Sequence, residues 1–192
     1  MHYHTEVWIE RQEDYIEQVR KTLHGLHEED GGFYDWYVIG GRWSGEHTRW
    51  LLKNKFGSRK IDRINDEFDK KYGWWENHEN TREIRAKQYE EVFRKYISKK
   101  EYDGMIPAWR DTYKDDGYED DIIAVSEIPK KFFGCYTLVL SERGNKWENE
   151  RRYFHTEVYN GSTFQDTKFN PREILTKHNI YDGFLVTVDY HS

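Results

Sequence analysis

The stretch HYHTEVWIE, residues 2–10, alternates in the manner of a strand, and its β-branched and aromatic residues favour that assignment. The stretch FLVTVDYHS, residues 184–192, closes the 192-residue chain as another strand. Side chains along a strand change face at every residue, so His2 and His4 share one face of the first strand, and Asp189 and His191 share one face of the last. If the two strands are antiparallel neighbours, the start of one lies beside the end of the other. His2, His4, Asp189 and His191 then converge as four potential ligands of a divalent metal. Histidine and carboxylate ligands suit zinc, manganese or iron, which could activate a water for hydrolysis.

Between these strands the pattern turns helical and then returns to sheet. Asp14 and Glu17 form a D-x-x-E capping box ahead of Tyr15, Ile16, Val19, Leu23 and Leu26, which recur at helical spacing. Gly31 and Gly32 turn the chain into a second strand over about Phe33 to Ile39, closed by Gly40 and Gly41. Ser58 caps a helix carrying Ile61, Ile64, Phe68 and Tyr72, and Asn80 with Glu83 opens another carrying Tyr89, Val92, Phe93 and Ile97. An irregular acidic connection follows, with its own anchor at Trp109. The stretches IIAVSEI, FFGCYTLVLSE and RRYFHTEVY read as strands, the last entered through an ERGNKW hairpin turn. Asn170, Pro171 and Glu173 supply an N-cap, an N1 proline and a capping box for a short helix before the last strand. The sum is one α+β domain over residues 1–192. Its expected form is a ferredoxin-like antiparallel sheet with helices on one face and a helical insertion at about 46–121.

Composition narrows the function classes. Charged residues make up 34% of the chain, but an aromatic share of 17% argues against disorder and for a core built from rings. A lone cysteine, Cys135, excludes an intrachain disulfide and a multi-cysteine zinc site, and it suits the cytoplasm. No apolar run approaches the roughly 20 residues that cross a bilayer, and MHYHTEVWIE lacks the features of a signal peptide. The net charge of −6 hides a basic arm: residues 53–100 carry fourteen basic and nine acidic side chains, between two acidic flanks. With Trp74 and Trp75 that arm is a candidate nucleic-acid surface, but the overall acidity opposes non-specific attraction and solvated helix faces explain the charges as well. Repeats and low-complexity tracts are absent from the sequence, which removes scaffold arrays.

The stretch GFYDWYVIGGRWSGEHTRW, residues 32–50, is the strongest binding candidate. Consecutive glycines allow positive φ and close backbone approach, so the amides of Gly40 and Gly41 can face an anion. Arg42 can grip a phosphate or carboxylate, while Trp36, Tyr37 or Trp43 can stack on a flat ring. With Asp35, these seven residues form a nucleotide-shaped set. The plainer alternative is a turn in which Trp36 and Trp43 fill the core and Arg42 pairs with Asp35. The spacing matches neither a P-loop nor a dinucleotide fingerprint.

The segment DWYVIGGRWSG, with the terminal VDYH, resembles a family of largely uncharacterised proteins from bacteriophages and bacteria that carry an early D-W-Y-x-I-G-G-R-W motif and a C-terminal V-D-x-H. The likeness covers about a dozen residues, near 35–45 and 188–191. It implies a phage or mobile-element origin, with roles in host takeover or in blocking host defence.

Other chemistry is less well supported. His24, His27 and Glu28 lie within one turn, but Gly25 ends the helix there. His155 and Glu157 match the H-x-E half of a zinc deaminase signature without its P-C-x-x-C partner. Cys135 sits in an apolar strand as a buried thiol, and Ser44 lacks the G-x-S-x-G elbow. The favoured expectation is a small binding protein that captures an anionic ring-bearing ligand, such as a nucleotide or a nucleotide-derived signal, at the Gly-Gly-Arg-Trp turn. The alternatives are an inhibitor that binds a host protein and a metal-dependent hydrolase at the chain ends.

Overall fold

The computed structural model describes residues 2–32, 34–73, 82–107, 119–131, 133–141, 153–155, 157–159, 164–166 and 168–192. Strand β1 (His2–Ile9) leads into helix α1 (Tyr15–Leu23) and strand β2 (Trp36–Ile39). Helices α2 (Glu46–Phe56), α3 (Ser58–Tyr72) and α4 (Arg82–Phe93) follow. Strands β3 (Ile122–Ala124), β4 (Thr137–Leu140), β5 (Tyr153–His155), β6 (Glu157–Tyr159) and β7 (Phe164–Asp166) precede helix α5 (Pro171–Lys177) and strand β8 (Phe184–His191). Six strands form one sheet in the order β2-β8-β1-β4-β5, with β3 also paired to β8, while β6 and β7 pair separately. No described helix is long and apolar enough to cross a membrane.

The α+β class stands, with two corrections to its details. The sheet is mixed rather than antiparallel, because β4 runs parallel to β1 while β8 runs antiparallel to it. Helices cover both faces rather than one, because nearly every residue of β1 and β8 is buried whichever way it points. One face carries Tyr3, Val7, Ile9, Val186, Val188 and Tyr190, packed with Val19 and Leu23 of α1. The opposite face carries Trp8, Leu138, Leu140 and Leu185, packed with Leu175 of α5. The order does not establish a ferredoxin-like sheet: β2, which follows α1, joins the edge beside β8 and leaves the far edge to β5.

Most local signals act as their chemistry dictates. Asn170 accepts a hydrogen bond from the Arg172 amide at 3.0 Å and opens α5 behind Pro171. Ile61, Ile64, Phe68, Tyr89, Val92, Phe93 and Ile97 are fully buried against one another, so α3 and α4 supply a third apolar cluster, which Leu52 of α2 joins. The expected capping box at Asp14 does not form, since Asp14 takes a left-handed conformation (φ 52°) and its side chain caps nothing. The second strand begins at Trp36, later than expected, because Tyr34 bridges to His27 instead. Expectations at Phe33, Trp74, Trp75, Asn80, Trp109 and the ERGNKW turn lie outside the described residues.

Candidate functional site

The β1–β8 register sets His2 opposite His191, His4 opposite Asp189, Glu6 opposite Thr187 and Trp8 opposite Leu185. Cross-strand partners share a face. Three consecutive pairs on one face are therefore polar and the fourth is apolar. Strand β2 extends the polar part by placing Trp36 beside His191 and Val38 beside Asp189. Helix α2 and the turn before it cover this region, where an apolar sheet face would ordinarily sit.

The innermost part is a buried hub around Glu6. Its Oε1 lies 2.6 Å from His4 Nε2 and 3.0 Å from His47 Nε2, and it accepts the Thr187 hydroxyl at 3.1 Å. Burial would raise the Glu6 pKa, but His47 and His4 outweigh that and hold it at about 2. His47 loses affinity for its proton through burial and regains more from the Glu6 charge, so its pKa is raised. The hub thus pairs a buried carboxylate with an imidazole whose proton that carboxylate holds more tightly than usual. Burial dominates at His4 and lowers its pKa, so that ring is neutral at neutral pH and donates Nε2–H to Glu6. Trp43 stacks on His4 at 5.3 Å, Lys168 Nζ sits 4.8 Å above the Trp43 ring, and Phe133 stacks on His47 at 5.3 Å. The buried Nδ1 atoms of His4 and His47 have no hydrogen-bond partner among the described residues.

The Gly-Gly-Arg-Trp turn wraps two of the protein's own carboxylates. A Cβ on Gly40 (φ 75°) would lie 2.4 Å from Asp121 Oδ2, and one on Gly41 (φ 54°) would lie 2.5 Å from Asp189 Cβ. Close approach is the reason for both glycines, and what approaches is internal. The Gly40 amide donates to the Thr187 carbonyl at 2.8 Å, and the Arg42 amide donates to Asp189 Oδ2 at 3.1 Å. Asp121 accepts the Gly45 amide and the Ser44 hydroxyl, each at 3.2 Å, so Ser44 serves to hold the turn. Burial and the neighbouring Asp120 push the Asp121 carboxyl up to about 7.

Toward the chain ends the polar region opens to solvent. His2 Nδ1 lies 3.0 Å from Asp189 Oδ1, on the carboxylate whose other oxygen holds the Arg42 amide. His191 Nδ1 lies 2.8 and 2.9 Å from the two oxygens of Asp35, and this hydrogen bond keeps the Asp35 carboxyl below its usual range against a desolvation that raises it. The His2 and His191 rings meet edge to face at 5.1 Å, and their side chains are 22% and 32% exposed. Trp36 stacks on His191 at 5.4 Å and leaves 42% of its surface exposed. The Arg42 side chain is exposed and makes no ion pair or hydrogen bond among the described residues.

Two groups that looked separate in the sequence are therefore one. Asp35, Trp36, Gly40, Gly41, Arg42 and Trp43 gather with His2, His4, Asp189 and His191. Tyr37 does not join them: it points to the opposite face, against Tyr34 at 5.5 Å. Arg42 does not pair with Asp35, which His191 occupies. The histidines and carboxylates hold one another, and no group of three or more His, Cys, Asp or Glu among the described residues is placed to bind a metal ion. His27 uses both ring nitrogens on backbone groups of Asp35 and Glu29, and burial raises the Cys135 pKa well above the ordinary thiol range. Sequence reading missed Glu6, His47, Asp121 and Thr187. The period-two series His2, His4, Glu6 could have found the first of these, whereas His47 has no local signal. A groove of about 530 Å³ lined by Arg11, Gln18, Arg20, Lys21, His24 and Ser141 lies near the opposite end of β1, away from Arg42.

The fold and site define a mixed α+β protein with a polar half-face beneath α2 that ends in an exposed cluster of rings. Comparison with protein-family models, with characterised proteins and with solved structures finds no match.

Proposed function

We propose that this protein binds a small anionic ligand bearing a flat ring, a nucleotide or nucleotide-derived signal, at the exposed end of the polar half-face. The observation that carries the reading is the exposed Trp36, already stacked on His191, next to a turn that presents the exposed Arg42. A planar base gains by stacking on the open face of the indole. The guanidinium matches the oxygens of a phosphate in a forked geometry. The Asp189 carboxylate fixes the turn and His2 together, so the cation and the rings share one rigid support. The β8-β1-β4 pairings, antiparallel then parallel, also support a ferredoxin-like relationship as part of this reading. The likeness of DWYVIGGRW and VDYH to phage and bacterial proteins adds that the ligand belongs to host metabolism or host defence signalling.

Calorimetric titration with adenosine, AMP and ATP tests the reading. The phosphorylated ligands bind the wild type, and Arg42→Ala weakens them about tenfold or more while leaving the melting temperature unchanged. Equal affinities in wild type and variant, or a loss that tracks unfolding, reject Arg42 as the anion anchor.

A further inference from the structure

We infer that the carboxylate-oriented histidines His2 and His191 form an acid–base pair that cleaves phosphodiesters lying beside a 2′-hydroxyl, as in ribodinucleotides and ribonucleotide second messengers. The inference rests on the proposed nucleotide site and adds a reaction to it. Three observations carry it. Each imidazole has its own carboxylate on Nδ1, Asp189 for His2 at 3.0 Å and Asp35 for His191 at 2.8 Å. Such a partner fixes the ring and its tautomer, and assigns proton exchange to Nε2. The two rings touch, at 5.1 Å between centroids, so a single phosphoryl group can meet both. Both are partly open to solvent, unlike His4 and His47; both pack against the exposed Trp36 ring, and the Asp189 carboxylate that holds His2 also holds the Arg42 amide.

Two oriented histidines without a side-chain nucleophile can take one proton and give one. A phosphodiester beside a 2′-hydroxyl needs only that, because it carries its own nucleophile in near-attack position. One histidine accepts the 2′-hydroxyl proton as that oxygen forms its bond to phosphorus. The bond from phosphorus to the 5′-oxygen breaks with its electron pair, and the other histidine delivers a proton to that oxygen. The products are a 2′,3′-cyclic phosphate and a free 5′-hydroxyl, with no water or oxidant consumed. The histidines exchange protonation states, which solvent protons restore. Trp36 and Arg42 bind the substrate, and Asp35 and Asp189 are positioning residues.

The test uses the full chain with the ribodinucleotide UpA and its 2′-deoxy counterpart, following product by chromatography and binding by calorimetry. The expected result is conversion of UpA to cyclic uridine phosphate and adenosine by the wild type. His2→Gln and His191→Gln, prepared identically, lose about 100-fold or more of that rate while retaining the wild-type melting temperature and affinity for the deoxy analogue. Both variants keeping the wild-type rate would assign any cleavage to a contaminant and overturn the inference. Binding of the analogue without cleavage of UpA would overturn the inference and leave the nucleotide site standing. Absence of binding as well would remove both.

Discussion

One face of the sheet contains two unlike halves built by the same two strands. From Trp8 and Leu185 onward it is apolar, with Leu140 and Ile123 alongside and Leu175 of α5 packed on it. From Glu6 and Thr187 back to the chain ends it is polar, filled by histidines and carboxylates beneath α2 and the Gly-Gly-Arg-Trp turn. Burying an apolar side chain contributes about 1.5–3 kcal/mol. Burying a charged pair roughly breaks even at best, because desolvation offsets the attraction. The apolar half therefore explains why the sheet is stable. The polar half needs a different explanation, and the binding proposed for its exposed end supplies one.

Variants sharpen this contrast in descending order of effect. Glu6→Ala leaves His47 buried without its counter-charge and should destabilise the fold by about 3–5 kcal/mol in denaturant unfolding. A loss below about 1 kcal/mol would mean that water enters the hub freely. Leu185→Ala, on the same face, should cost about 2–5 kcal/mol through lost burial and the resulting cavity. A markedly smaller cost would place the stabilising half elsewhere.

Asp121 comes next, and its effect depends on pH. Its folded pKa of about 7 lies above the ordinary 3.8, so the fold binds this proton more tightly than the unfolded chain does. The stability it contributes is full below pH 3.8 and is lost as pH rises through about 7. Asp121→Asn keeps a carbonyl oxygen for the Gly45 amide and removes the titration. The variant should gain on the wild type by roughly 2–4 kcal/mol between pH 4 and pH 8, seen in paired unfolding curves. A difference that stays flat with pH would mean that Asp121 titrates as an ordinary carboxyl. Smallest of all is Arg42→Ala, which should change stability by no more than about 0.5 kcal/mol, since the exposed side chain holds no described partner. A larger loss would make the arginine a clamp of the fold.

The terminal strands were legible because β-branched and aromatic residues dominate them, as suits strands buried on both faces. Their partners were not, since the parallel approach of β4 to β1 is a long-range pairing that leaves no periodic mark. Gly40 and Gly41 were legible as points of close approach. What approaches them, Asp121 and Asp189, comes from more than 70 residues away, and a glycine pair signals proximity without naming the neighbour. Glu6 carries no sign in the sequence that it is buried, and its burial follows from the histidine brought over it by α2. Trp36 was read as either a stacking platform or a core ring, and at 42% exposure it is not a core ring.

The central claim is that the polar half-face ends in a nucleotide site. Its most direct test is a titration of isotopically labelled protein with ATP, followed by two-dimensional NMR. The account predicts saturable shifts confined to His2, Trp36, Arg42, His191 and their immediate neighbours, with the apolar half unmoved. Shifts centred on the groove near Arg11 and Lys21, or none at millimolar ATP, would contradict it.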